Sequence, residues 1–552
     1  VTVPATAAAG GTALIRTALG CGVLSVGGLV AVAALGDSAA VPGLGPATLL
    51  PPWDLAATPS SGLVTVLLAV AWTLGAGAVL CGLVALRRNG FVGWSPRSAA
   101  LLAVAAVGVL VVVPPLGSAD HLSYAAYGRI AVQGGDPYLV PPAQWRGGTD
   151  PVAGAVQPPW EQTPSVYGPV ATAAQALSAA VGDGSLRRTV WAWQLLCALA
   201  FLATGLALDR IAAGSRPGAA GTAARARVAV VWTLNPLLLG QLVLGAHVDV
   251  LAAAAAAGAV AVAARRPLVA GALLGAAAAT KAPFALAGVA LLWGVRRLPR
   301  RTAWRSVALG ALGAGLVLVP AHVWSGPATY DQLSQAARFV SFATPWRLFV
   351  DVLDPVYGRP AVRDVVGPAA VVLAVAFGAL LARRVAALAP PAPRPAPHPS
   401  QPSSGGQGAL PGENSAPCTP EDAAGRAMTA DAVRALALTS LAWVLTVPYA
   451  LPWYDALAWL PLALLAASSV LDLAMLGRLW VLALAYVPGR VVGMSPDVEE
   501  LTLGFRRHVA PWWTLAMLVA VSWWAARAGS PGRSSPAGSP RRGARAPGRS
   551  RR

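Results

Sequence analysis

Charge is what this sequence lacks most. Acidic and basic residues together make up 11% of its 552 residues, while 56% are hydrophobic. Soluble domains carry roughly a quarter charged residues to cover their surface. A soluble globule is therefore excluded, and an integral membrane protein with many spans is predicted. Lysine is nearly missing: of 41 basic residues only Lys281 is a lysine. Asparagine occurs only at Asn89, Asn235 and Asn414. The excess of Ala, Gly, Pro and Arg points to a GC-rich coding sequence, so the choice of Arg over Lys says little. A solitary Lys inside an apolar run says more. The few cysteines, Cys21, Cys81, Cys197 and Cys418, are scattered, three of them in apolar runs, so neither a disulfide framework nor a metal site is implied. The sequence has no G-x-x-x-x-G-K-[ST], no H-E-x-x-H, and no Asp-x-Asp pair in the inner loops. Neither an ATP-driven pump nor a metal-dependent enzyme using a cytoplasmic nucleotide sugar is supported, and no cofactor and no metal are expected. The first apolar run has no A-x-A-like cleavage site after it and is read as a retained helix, not a signal peptide.

What is present is a succession of apolar runs. A helix of about 20 apolar residues crosses a hydrocarbon core of about 30 Å. The predicted fold class is an all-α polytopic membrane protein of about 12–14 transmembrane helices with a long outer first loop carrying juxtamembrane helices. The chain divides into N-terminal spans (1–116), an outer catalytic loop (117–188), central spans (189–384), a Pro-rich disordered cytoplasmic linker (385–431), C-terminal spans (432–526) and a basic disordered tail (527–552). The pair 267–280 and 282–296 is short for two spans and reads as half-helices meeting within the membrane. The segment 168–182 is apolar but short, and reads as a helix lying against the outer face. The net charge of +19 raises the question of nucleic acid, but its placement answers it. With the N-terminus inside, most Arg falls on the cytoplasmic side, including the Arg-rich tail, and most Asp and Glu fall outside. No nucleic-acid partner is implied. A multi-pass plasma-membrane protein with both termini cytoplasmic is.

Several residues carry potential chemistry. The outer loop opens Ser118-Ala119-Asp120-His121-Leu122-Ser123-Tyr124-Ala125-Ala126-Tyr127-Gly128. Asp120 follows a span directly and so sits at the membrane–water boundary, with Tyr124 and Tyr127 on the same helical face. Asp136-Pro137-Tyr138 and Tyr167-Gly168-Pro169 follow. Loops longer than about 15 residues are usually functional or disordered, and the aromatics and prolines here favour function. Asn235-Pro236 bends a span, and Gly245-Ala246-His247-Val248-Asp249 lies at its outer end. His247 and Asp249 are costly in apolar surroundings unless paired or facing a wet cavity. Lys281, flanked by apolar residues on both sides, costs at least about 2.5–3.5 kcal/mol to insert, and its compact ammonium suits a phosphate. His322, Trp346-Arg347 and Trp453-Tyr454 lie at outer span ends. Singly, the aromatics read as interface-belt residues.

Taken in order, these residues have a pattern. An Asp after an early span, Ser-Tyr-x-x-Tyr-Gly, Asp-Pro-Tyr, Tyr-Gly-Pro, Asn-Pro-Leu, Gly-x-His-x-Asp, an intramembrane Lys before Pro, and Pro-Trp-Tyr run from about Leu116 to Tyr454. The pattern resembles the actinobacterial polyprenol-phosphomannose-dependent α-1,6-mannosyltransferases of the C-type membrane glycosyltransferase superfamily. Two departures stand out: Val248 where the family has Asn, and the Pro-rich insertion at 385–431. The resemblance implies a polyprenyl phosphate sugar donor, a glycolipid or glycan acceptor, the lipid bilayer as partner, and inverting transfer at the outer face. It implies Asp120 as general base, and Lys281 with Arg347 as the donor-phosphate site. His121, Tyr124, Tyr127, Asp136, Tyr138, Tyr167, His247, Asp249, His322, Trp346, Trp453 and Tyr454 would bind substrate. A lipid-linked-sugar flippase or transporter is the alternative reading.

Overall fold

The computed structural model describes residues 5–88, 91, 94–215, 218–387, 419–490 and 492–527. All but Arg527 of the tail expected at 527–552, and most of the linker expected at 385–431, lie outside the described residues. The described chain is helical, with no strand among the described residues. Helix α1 (Ala5–Leu35) packs along α2 (Ser61–Arg87), and α3 (Pro96–Leu110) returns toward the same end as the close of α1. The expected outer loop then folds into α4 (Asp120–Val132) and α5 (Pro169–Gly182). Helix α5 packs on α4 and on the start of α6 (Leu186–Ser215). Next come α7 (Gly218–Val228) and α8 (Pro236–Leu238), joined and continued by π-helical turns, then α9 (Asp249–Val262), α10 (Pro267–Thr280) and α11 (Leu286–Val295). Helices α12 (Arg300–Ser325), α13 (Ala328–Ala336), α14 (Pro345–Tyr357) and α15 (Arg359–Ala387) complete the central part. The last group is α16 (Pro420–Thr446), α17 (Ala456–Leu462), α18 (Ser469–Ala485), α19 (Pro496–Gly504) and α20 (Ala510–Ala526).

Eight helical stretches among the described residues are long and apolar enough to cross a membrane, and four shorter apolar helices accompany them. Helices are forced here because hydrocarbon offers the backbone no hydrogen-bond partner. Burial separates centre from rim. In the most apolar part of Ala220–Leu244 83% of the residues are buried within the protein, against 6% in that of Arg300–Ser325. The first is the central post of the bundle and the second faces lipid. Small residues set the close crossings. Gly271 and Gly275 of α10 face the backbone of Gly310 and Ala314 on α12, where any Cβ would collide. The alanines of α9 (Ala252, Ala253, Ala256, Ala259) are fully buried against its neighbours.

Breaks in the helices match the expected interruptions and show their cause. Asn235 caps the restarted helix, its side-chain oxygen accepting from Leu237 N–H and Leu238 N–H, which serves the groups that Pro236 leaves without helical partners. Lys281 adopts an extended conformation (φ −152°, ψ 116°) between α10 and the turn leading to α11. The half-helix reading of 267–296 therefore describes the local geometry. One boundary differs. The disordered linker was expected to reach residue 431, but α16 begins at Pro420. Thr419 caps it with its side-chain oxygen on Asp422 N–H, and Asp431 is buried and paired with Arg297 and Arg434. An ion-paired helical extension needs no continuous apolar run, so the hydropathy pattern passed over it.

Ion pairs close both ends of the bundle. At one end Arg227 holds Asp472 at 2.6 Å and also donates to the Leu462 carbonyl. At the other, Arg187 holds Asp54 at 3.0 Å with the Pro52 and Gly45 carbonyls. There Arg490 also gathers Asp37, the Ser38 and Val41 carbonyls, and Gln157. This second end carries the loops that form the site.

Candidate active site

Helix α4 begins at Asp120, so the carboxylate sits in a first turn, where the helix dipole favours an anion. Its own N–H donates to Ser118 Oγ at 3.3 Å. The same Ser118 hydroxyl lies 2.9 Å from His247 Nε2. His247 Nδ1 is 2.5 Å from the Gln241 carbonyl, so Nδ1 carries the hydrogen and Nε2 accepts from Ser118. Burial pushes the His247 pKa down to about 3, keeping the ring neutral. The Asp120 carboxylate is 3.8 Å from His247 Nε2 and its side chain is 16% exposed, against 1% for the histidine. Burial pushes the Asp120 pKa up to about 6. The Lys281 charge draws it down, and Asp249 raises it again. A carboxyl poised there can take a proton near neutral pH.

Around Asp120 the structure gathers several of the predicted residues. Tyr124 stands edge-on to Tyr167 and tilted against Trp193, each at 5.1 Å between ring centroids. Tyr127 lies 6.3 Å from Tyr167, and its hydroxyl donates to the Thr163 carbonyl at 2.9 Å. His247 stacks on Trp453 at 3.6 Å and 14°. Lys281 Nζ lies 3.6 Å above the Tyr454 ring and meets both Asp249 oxygens, at 2.6 and 2.7 Å. One face of Trp453 and one face of Tyr454 are therefore occupied already. The glycines of two motifs serve packing. A Cβ at Gly128 would strike the Gln175 carbonyl of α5, and one at Gly168 would strike the Ala279 carbonyl just before Lys281. The Tyr-x-x-Tyr-Gly and Tyr-Gly-Pro motifs thus clamp α4, α5 and α10 around Asp120.

Other predicted residues stand elsewhere or do structural work. His121, next in sequence to Asp120, is fully buried, and burial together with the Arg490 charge depresses its pKa to about 3. Asp136 accepts from Tyr138 N–H at 2.8 Å and shapes a turn. Tyr138 is buried with its hydroxyl 2.7 Å from Thr172 Oγ1. His322 bonds its own helix at the Leu318 carbonyl and stacks on Tyr330, with no contact to the Asp120 cluster. Trp346 donates to the Thr446 carbonyl at 2.6 Å. The expected phosphate pair is not a pair. Lys281 is held by Asp249, and Arg347 is held by Asp351 one helical turn on, at 2.6 Å. The physical reason is that a cation in apolar surroundings takes the nearest carboxylate, and the spacing from 249 to 281 gave no sign of that meeting.

Sequence reasoning passed over Gln241, which orients His247, and Trp193, whose indole N–H donates to the Ala246 carbonyl at 2.7 Å and fixes the backbone before that histidine. It also passed over Tyr449, Tyr486, Arg506 and Arg507, which line the continuation of the site. Tyr449 lies 6.1 Å from Tyr454, Tyr486 lies 6.2 Å from Trp453, and the Arg506 guanidinium sits 4.2 Å from the Tyr486 ring centre. One signal was available: Arg506 and Arg507 stand at the end of a span where the charge bias predicts few arginines.

A carboxyl with its pKa raised to about 6, set beside aromatic rings at one end of an apolar helical bundle, fits group transfer, and comparison with known proteins agrees. The chain is 30% identical over 141 residues to alpha-(1->6)-mannopyranosyltransferase B of Corynebacterium glutamicum, covering 26% of this chain and 22% of that one. It is 32% identical over 145 residues to a probable alpha-(1->6)-mannopyranosyltransferase of Mycolicibacterium smegmatis, covering 26% and 24%. It is 30% identical over 145 residues to an alpha-(1->6)-mannopyranosyltransferase of Mycobacterium tuberculosis, covering 26% and 23%. The matched stretches span about a quarter of the length of these relatives. No solved structure matches the chain. Residues 20–297, half of the chain, match the family model of the alpha-(1->6)-mannopyranosyltransferase N-terminal domain, and the chain belongs to that family.

Proposed function

We propose that this protein is a mannosyltransferase that moves a sugar from a polyprenyl phosphate donor to a hydroxyl of a glycolipid or glycan acceptor at the outer face of the plasma membrane. The observation that carries the reading is the Asp120 carboxylate. It is partly exposed at the loop-bearing end of the bundle, is raised to about pH 6, and is held beside Ser118 and a neutral His247. Asp120 takes the proton of the acceptor hydroxyl as its oxygen attacks the anomeric carbon. The bond from that carbon to the phosphate oxygen breaks, and polyprenyl phosphate leaves with the electron pair. A single displacement inverts the anomeric centre, so a β-linked donor gives an α-linked product. Phosphate leaves readily, so the protein's share is positioning, proton removal and charge stabilisation. Family membership supports mannose and an α-1,6 linkage. His247 stays neutral and orients Ser118, and Tyr124, Tyr127 and Tyr167 wall the acceptor side.

The direct test incubates the purified protein in liposomes with polyprenyl phosphomannose and a mannoside acceptor. Free polyprenyl phosphate and elongated mannoside should appear in equal amounts. Movement of intact donor between leaflets with no new glycoside would instead identify a flippase.

A further inference from the structure

We propose that the phosphate of the lipid donor, and of the lipid phosphate product, is held by Arg506 and Arg507 together with Arg347 around the Phe342 ring, and not by Lys281. This rests on the transferase reading and deepens it by placing the donor's head group. Arg347 and Arg507 approach the same ring, their guanidinium carbons 4.8 and 4.9 Å from its centre. Arg506 donates through Nε to the Ala485 carbonyl at 2.8 Å and lies over Tyr486. Among the described residues neither Arg506 nor Arg507 meets a carboxylate within ion-pair distance. Asp351 pairs with Arg347. Two of the three guanidinium groups thus have no carboxylate partner among the described residues, and adjacent like charges without counterions call for an anion.

The backbone presents them unusually. Phe505–Val509 forms a π-helical turn between α19 and α20, a widened turn that recurs at functional sites. The surface beyond the arginines identifies the kind of anion. On α20 Trp512 is 60% exposed, with Val509 and Trp513 beside it, and on α14 Phe349, Val352 and Val356 are exposed. An anionic head with a long apolar tail fits both halves, its tail running along the same apolar faces that the bilayer covers. The site also leads toward the carboxylate. From Arg506 the rings run through Tyr486 to Trp453, which stacks on His247 beside Asp120. As the bond to the sugar breaks, the departing phosphate gains charge, and the arginines would stabilise it more strongly than the bound donor. Lys281 is already neutralised by both oxygens of Asp249.

The test measures retention of undecaprenyl phosphate by the full-length protein in nanodiscs, with undecaprenol and phosphatidylglycerol as competitors. Arg507→Gln, which removes the guanidinium over Phe342, should weaken undecaprenyl phosphate binding about ten- to a hundredfold with unchanged melting temperature. It should also lower kcat. Arg506→Lys should fall between Arg507→Gln and the wild type, and Asp120→Asn should bind as the wild type does. Competition by undecaprenol or phosphatidylglycerol equal to that of undecaprenyl phosphate would overturn the assignment to a polyprenyl phosphate. Undiminished binding in both arginine variants, with transfer intact, would overturn the site and leave the transferase reading standing. Normal binding by the wild type without any glycosyl transfer would support the site and remove the transferase reading.

Discussion

At the scale of single residues, the account turns on how burial and charge set Asp120. Its pKa of about 6 comes mainly from burial, opposed by the Lys281 charge. A general base acts deprotonated, so kcat/KM should rise with pH and level off above an acid limb near pH 6. Lys281→Met removes a nearby positive charge that favours the carboxylate, so the limb should move to higher pH. A limb that stays in place would show that Lys281 does not act on Asp120. Lys281 and Asp249 form a buried pair whose separation leaves one charge uncompensated. Lys281→Met should cost about 3–5 kcal/mol, and adding Asp249→Leu should restore most of it, both measured by denaturation in detergent. A double variant as unstable as the single one would contradict the pairing. Asp120 and Lys281 were legible as unusual residues because each is a charge beside or within an apolar run. Their partners were not, because the Lys281–Asp249 contact joins residues from different helices, and sequence spacing does not report which helices touch.

At the scale of elements, glycines and short breaks shape the site. Gly128 lets α4 lie on the Gln175 carbonyl of α5. Gly128→Val should separate the two helices and cost about 1–3 kcal/mol, the usual range for overpacking. It should lower the melting temperature and the activity together, and an unchanged melting temperature would refute the close crossing. The interruptions at Asn235-Pro236 and at Lys281 were readable because proline and a lone charge break an apolar pattern in recognisable ways. The extension of α16 back to Pro420 was not, because its first turns are polar and resemble in composition the Pro-rich sequence before them. The π-helical turn at Phe505–Val509 was equally hidden. Its register depends on how α19 and α20 meet α18, which no local preference encodes.

At the scale of the whole molecule, the site residues come from one end of the bundle. Asp120, His247, Asp249, Lys281, Trp453 and Tyr454 lie far apart in sequence and meet there. The alternation of apolar runs made the class of fold legible, and the Arg bias predicts that the site end faces outward. Cysteine labelling with a membrane-impermeant maleimide checks this. Gln144→Cys, exposed in the loop region, should label on intact cells, and Thr302→Cys, exposed near the start of α12, only after permeabilisation. The reverse pattern would place the site in the cytoplasm.

The most direct measurement is the single-turnover rate of mannosyl transfer by Asp120→Asn with donor and acceptor both saturating. Asparagine keeps the shape of the side chain and removes the base. The rate should fall by about 10²–10⁴-fold, with donor binding and melting temperature unchanged. Transfer at close to the wild-type rate would contradict the assignment of Asp120 as the group that takes the acceptor's proton.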